Sequence, residues 1–139
     1  AAPRRSAAGA RSAETRRILV ADDDEIARHL ACTLLAQQGF EPHEASDGAV
    51  AIELLSSERR FAAVVLDLHM PRVDGRSVLG HIRRTPNLAA LPVIVLTGSC
   101  DSSTEVEVID AGADDYLSKP ADPPRFLARV RAVLRRAAA

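Results

Sequence analysis

The sequence predicts an α/β fold with a parallel central sheet, on three observations. Short, mostly apolar runs of strand length alternate with longer stretches of helical spacing, and the alternation occurs five times. Two of the runs, Phe61-Ala-Ala-Val-Val-Leu-Asp67 and Leu91-Pro-Val-Ile-Val-Leu-Thr97, are apolar nearly throughout, the pattern of strands covered on both faces. The first, third, fourth and fifth strands all end at polar residues, where open α/β sheets collect ligands.

Taken in order, residues 1–15 lack large apolar side chains and cannot bury enough surface to offset ordering entropy. Residues 1–16 are therefore expected as a flexible tail or linker, 17–136 as the folded domain and 137–139 as a disordered end. Ile18–Ala21 is a short apolar strand. Asp24–Gln38 is a helix with an acidic first turn, with Ile26, Leu30 and Leu34 as its apolar stripe and Gly39 as its stop. Glu41–Ala45 is a more polar strand, expected at a sheet edge. Ser46-Asp47-Gly48 opens a helix through Ser57, with Ala49, Ile52 and Leu55 on one face. The third strand ends at Asp67; Met70-Pro71 stops it and Val73-Asp74-Gly75 turns into a helix ending near Arg84. Thr85-Pro86-Asn87 breaks that helix before the fourth strand, Leu91–Thr97. A helix near Ser103–Ala111 is closed by Gly112. Tyr116–Ser118 is the fifth strand, and Asp122-Pro-Pro124 starts a last helix that buries Phe126, Leu127, Val130, Val133 and Leu134. Right-handed crossovers between five such units predict a flavodoxin-like doubly wound (βα)5 sheet of order 2-1-3-4-5.

The length, 139 residues, suits one core, and the net charge of −1 is a sum of unlike parts. Five arginines stand against Glu14 in the first seventeen residues, leaving 13 basic and 18 acidic residues beyond them, a difference of −5. An acidic body argues against nucleic acid as its direct partner and fits a divalent cation better. Cys32, expected in the core, and Cys100, expected as an exposed loop thiol, suggest neither a disulfide framework nor a zinc site and fit a reducing cytoplasm. No apolar run reaches the length of a membrane span, and no signal-peptide pattern is present.

The four strand ends supply Asp22-Asp23, Asp67, Thr97-Gly98 and Lys119-Pro120 to one edge of the sheet. Clustered carboxylates repel one another, and a cation that prefers oxygen ligands, Mg²⁺, would keep them ionised. Asp23 and Asp67 are expected as direct ligands, Asp22 partly through water, and His69 through its backbone carbonyl. Asp67 is the expected nucleophile, accepting a phosphoryl group as an acyl phosphate. Lys119 is the only lysine in a chain with seventeen arginines. A compact ammonium on a flexible stem can reach both Asp67 and a phosphoryl oxygen. Thr97 offers a hydroxyl to that group, and Gly98 leaves space for the donor's approach. Each fragment alone has a plainer reading: an acidic helix start, a turn-forming Asp, a solvated Lys-Pro loop. Their coincidence at four strand ends favours the chemical one. His29, His43 and His81 show no metal-ligand spacing.

These residues resemble those of the response-regulator receiver domain, the fold of the bacterial chemotaxis response regulator. The resemblance covers residues 17–136 through Ile18-Leu-Val-Ala-Asp-Asp-Asp24, Leu66-Asp-Leu-His-Met-Pro71 with Asp74-Gly75, Leu96-Thr-Gly98 and Ala111-Gly-Ala-Asp-Asp-Tyr-Leu-Ser-Lys-Pro120. It implies phosphorylation of Asp67, with Mg²⁺ or substituting Mn²⁺, by a sensor histidine kinase or histidine phosphotransfer domain. It implies no enzyme activity beyond the domain's own phosphorylation and dephosphorylation. It also implies a switch, in which Thr97 moves toward the phosphoryl group, Tyr116 turns inward, and the face made by the fourth helix, fifth strand and fifth helix changes shape. Three departures stand out. Ala121 follows Lys119-Pro120, where the family usually has an apolar aromatic. His69 occupies a position where side chains tend to tune phosphoryl lifetime. The fourth helix carries Glu105 and Glu107 where many DNA-binding relatives pair through basic residues, although Asp110, Asp114, Asp115, Arg129 and Arg131 leave a homodimer across that face open.

Other classes fit less well. An aspartyl phosphatase needs a second Asp two residues on, where His69 stands. A flavin phosphate loop would be repelled by Asp22-Asp23-Asp24. A receiver fold kept only for docking has no need of the full residue set. The output target, the cognate kinase, and whether the chain is freestanding or joined to a hybrid kinase or a secretion-type ATPase stay open.

Overall fold

The computed structural model describes residues 16–57, 59–98 and 101–138. The elements are β1 Arg17–Ala21, α1 Glu25–Gln37, β2 Glu41–Ala45, α2 Gly48–Leu55, β3 Ala63–Leu66, α3 Gly75–Arg84, β4 Val93–Thr97, α4 Ser102–Asp110, β5 Asp115–Ser118 and α5 Pro123–Ala138. The five strands are parallel in the order β2-β1-β3-β4-β5, with the polar β2 at one edge as its composition predicts. The expected tail, up to Thr15, and Cys100 and Ala139 lie outside the described residues. Arg16, assigned to that tail, stacks its guanidinium 4.5 Å from the Phe40 ring centroid.

Alternation along each strand divides the core into two layers. Leu19, Ala21, Val64, Leu66, Val93 and Val95 face α2, α3 and α4. Ile18, Val20, Val65, Ile94 and Leu96 face α1 and α5, meeting Leu35, Phe126, Val130 and Val133. Both β3 and β4 are buried on both sides, which is why neither carries a polar residue before Thr97 at the end of β4.

Two helical faces differ from expectation. Ile26 and Leu30 of α1 are 82 % and 49 % exposed, and α1 instead buries Ala31, Cys32 and Leu35. The helix turns its Ala31, Cys32 and Leu35 face to the sheet, and the larger stripe lines a groove beside Phe126 of α5. In α2 the buried residues are Gly48, Ala51 and Leu55, with Ala49 and Ile52 only half-buried. The last helix extends through Ala138, two residues past the expected boundary at Arg136. Alanine has the highest helix propensity and nothing interrupts the run.

Every helix opens on an aspartate. Asp24, Asp47, Asp74 and Asp101 accept backbone N–H groups of α1, α2, α3 and α4, and Asp122 accepts from Arg125 of α5 at 3.2 Å. Five of the 18 acidic residues of the body are therefore placed at helix starts.

Candidate functional site

Strand register creates the site. Ala21 of β1 lies level with Leu66 of β3 and Ala45 of β2. The ladder continues one step further: Asp67 N–H donates to the Ala21 carbonyl at 2.9 Å, and Asp22 N–H to that of Ala45 at 3.0 Å. Two carboxylates are thus held side by side on adjacent strands, 4 % and 6 % exposed. Asp23, exposed, completes the group: one oxygen from each of Asp22, Asp23 and Asp67 lies within 4.8 Å of the others. Three carboxylates at that separation suit Mg²⁺, which takes oxygen ligands and keeps several waters.

Lys119 enters from the far side of β4. Its N–H donates to the Thr97 carbonyl at 2.9 Å, so β5 pairing carries directly into the lysine. Its Nζ reaches Oδ2 of Asp22 at 2.6 Å and Oδ2 of Asp67 at 3.2 Å. Burial pushes the Asp22 carboxyl above its ordinary value, more than the Lys119 hydrogen bond draws it down. Burial pulls the Lys119 ammonium down, but Asp22 and Asp67 together outweigh it and hold it up. The lysine is charged, and the acids around it have room for more positive charge.

The remaining expected residues fall around this centre. Thr97 is fully buried at the end of β4. Next to it, a Cβ built at Gly98 would meet nothing within 4 Å among the described residues. The approach there is open without depending on glycine. The His69 side chain is exposed, and the His69 backbone N–H lies 3.5 Å from Oδ1 of Asp67. Tyr116 is half-buried on β5, opposite Val95, packed against the α2–α3–α4 layer. His43 pairs with Glu41 and meets the Phe61 ring edge-on at 5.5 Å. Burial pushes the Cys32 thiol up to about 11, so it is an inert core residue.

Sequence reading missed Arg28, and it named Gly75 and Ala121 without their contacts. Arg28 of α1 donates to the Asp22 carbonyl at 2.8 Å and to Glu44 of β2 at 2.8 Å, bracing the acidic turn. A basic residue one turn into a helix that follows clustered acids was the available signal. Gly75 starts α3 so close to Asp67 that a Cβ there would lie 2.1 Å from the Asp67 carbonyl oxygen. Ala121 lines a groove of about 350 Å³ with Ile26, Leu30, Leu34, Leu96 and Phe126, opening beside Lys119. The small side chain leaves open a space that an aromatic would occupy.

Of the charges considered for pairing between copies, several are engaged within the chain. Asp115 binds Arg129 at 3.2 Å, Asp114 binds Arg83 at 3.1 Å, and Glu107 binds Arg76 of α3. Arg131 lines a different groove with Arg16 and Phe40.

Comparison with known proteins gives the same architecture. The family profile of the response regulator receiver domain matches residues 18–131. Transcriptional regulatory protein GltR of Pseudomonas aeruginosa is 43 % identical over 126 residues, covering 91 % of this chain and 52 % of that protein. Response regulator MprA of Mycolicibacterium vanbaalenii is 46 % identical over 120 residues, covering 86 % of this chain and 51 % of its own length. The chain thus spans about half the length of the curated relatives it matches. The receiver domain of Francisella response regulator 1452 superposes with a TM-score of 0.80 at 32 % identity, covering 88 % of this chain and 98 % of that one. The match begins in β1, ends in α5 and takes in every strand between them, so the chain belongs to the response regulator receiver domains of two-component signalling.

Proposed function

We propose that this receiver domain is switched by phosphorylation of Asp67, with a divalent cation held by Asp22, Asp23, Asp67 and the His69 carbonyl. The observation that carries the reading is the gathering of three carboxylates within 4.8 Å of one another, two of them on one ammonium, 2.6 Å from Asp22 and 3.2 Å from Asp67. An Asp67 oxygen attacks phosphorus; the bond to the donor's imidazole nitrogen breaks, and that nitrogen keeps the electron pair. Bound Mg²⁺ supplies neutralising charge to the phosphoryl oxygens. Lys119 pairs with the new phosphate, and the Thr97 hydroxyl donates to another of its oxygens.

The donor is a phosphohistidine on a sensor kinase or phosphotransfer domain. Ile26, 82 % exposed, and Leu30, 49 % exposed, rim the pocket beside Lys119. A protein that brings its histidine to Asp67 from that side would cover them, and the open space at Ala121 would accept one of its apolar side chains. Loss of the Lys119–Asp67 pair on phosphorylation would be passed through Thr97 to Tyr116 and the α4–β5–α5 face. The output lies with a segment or partner outside the domain and is reached through that face, with pairing of two copies as one route.

Incubation with a small acyl phosphate and Mg²⁺, read by intact mass, tests the reading. A stable gain of one phosphoryl group, absent in Asp67→Asn and with chelator present, is expected. Continuous phosphate release would instead mark a phosphatase, and an unchanged mass would mark a docking module.

A further inference from the structure

The loop from Asp67 to Gly75 carries both the phosphoacceptor and His69, and it is tied down at two places. At its end, Gly75 N–H donates to the Leu68 carbonyl at 2.8 Å. In its middle it leans on a different helix. Val73 N–H donates to the Pro71 carbonyl at 2.8 Å, closing a three-residue turn around Arg72 at φ 67°. That is left-handed backbone, which a branched or long side chain adopts only when its surroundings hold it there. The surroundings are the start of α2. Arg72 donates from Nε at 3.1 Å and from its terminal nitrogen at 2.8 Å to the same Oδ2 of Asp47. The other Asp47 oxygen accepts Val50 N–H at 2.9 Å and caps α2. Beside this pair, Gly48 touches the Val73 carbonyl so closely that a Cβ would sit 1.9 Å from its oxygen. Asp47 is buried, and the Val50 N–H, with Arg72 adding to it, holds its carboxyl below the ordinary range.

We propose that Asp47 and Arg72 are positioning residues for the phosphoacceptor loop, clasping its turn to α2 so that the His69 carbonyl and Asp67 face the cation together. The inference rests on the Mg²⁺ reading of the site. Neither residue touches the reacting atoms. Without the clasp the turn at Arg72 is free to relax, and the His69 carbonyl, three residues upstream, moves with it. Side chains that support ligands from behind act on metal affinity, because a ligand that must be ordered on binding binds more weakly.

The test is Mg²⁺ binding to the unphosphorylated protein by calorimetry, alongside acyl phosphate labelling across a Mg²⁺ series. Arg72→Gly accepts the left-handed backbone and lacks the guanidinium; Asp47→Asn keeps the cap and lacks the charge. Each is expected to bind Mg²⁺ about tenfold more weakly, to label more slowly at low Mg²⁺, and to approach the parent chain at saturation. The double variant is expected to be no weaker than either single one, because both remove the same contact. Arg17→Ala, which breaks an ion pair to Glu41 on the far edge strand, is expected to leave Mg²⁺ affinity unchanged. Parent-like affinity in both clasp variants, in a chain that does label on Asp67, would overturn the clasp alone. Failure of the parent chain to bind Mg²⁺ or to label on Asp67 would overturn the functional reading, and the clasp's role with it.

Discussion

At the scale of single residues, Lys119 carries the most weight. Its ammonium sits between two buried carboxylates, and no arginine of the chain could replace it there without a larger, planar head. It would also compete with the proposed divalent cation for the same oxygens. Lys119→Met is therefore expected to slow labelling of Asp67 on the order of 100-fold, while Mg²⁺ binds at least as tightly as before. A labelling time course with calorimetry on the same variant checks both halves. Weaker Mg²⁺ binding would show that the lysine orders the acids and does not oppose the cation. Its pKa is raised, so its contribution to stability is complete below the ordinary 10.5 and is lost as pH rises through the higher folded value.

At the scale of elements, the aspartate caps and the glycines after them decide where helices start. Asp47, Asp74 and Asp101 are held below the ordinary 3.8, in the first two chiefly by backbone N–H groups and in Asp101 chiefly by Thr104. Their carboxylates favour the folded state fully above that value, and the contribution is lost as pH falls through the depressed folded values. Thermal melts should hold level for this set down to about pH 5 and decline below about pH 4, with a shallower decline in Asp74→Asn. Gly75→Ala belongs to the same scale. Its methyl would meet the Asp67 carbonyl at 2.1 Å, so α3 or the acceptor must move. A loss of about 1–3 kcal/mol in urea unfolding is expected, with slower labelling. Asp74→Ala removes only the cap, costs about 1 kcal/mol, and should leave labelling nearly unchanged.

For the whole molecule, the proposed phosphorylation would act through the α4–β5–α5 face. Val106 and Ile109 of α4 are 60 % and 41 % exposed there, while Asp115 and Arg129 are paired within the chain. Two copies meeting on this face would have to exchange that internal pair for pairs between chains. Light scattering is expected to find a monomer before labelling and a dimer after it, the dimer weakening as salt screens the exchanged charges. Arg129→Ala should lower dimerisation without changing the labelling rate. A labelled protein that stays monomeric at high concentration would leave the output to a partner of another kind.

Much of this was legible in the chain. Strand identities, sheet order and the four strand-end residue sets follow from local patterns: apolar runs of strand length, helical spacing between them, and polar residues where each run stops. Adjacent parallel strands in register then bring Asp22 and Asp67 together, as Asp67 N–H on the Ala21 carbonyl shows. The helix faces were not legible. Ile26, Leu30 and Leu34 have a spacing as regular as any core stripe, and only the way α1 is turned on the sheet selects Ala31, Cys32 and Leu35 instead. Nor were the supports: Arg28 on Asp22, Gly75 against Asp67, and Asp47 with Arg72 across 25 residues. Periodicity and turn chemistry are properties of neighbours along the chain, and they determined which elements form and in what order. Contacts between loops depend on distances across the fold, and those existed only once the sheet had closed.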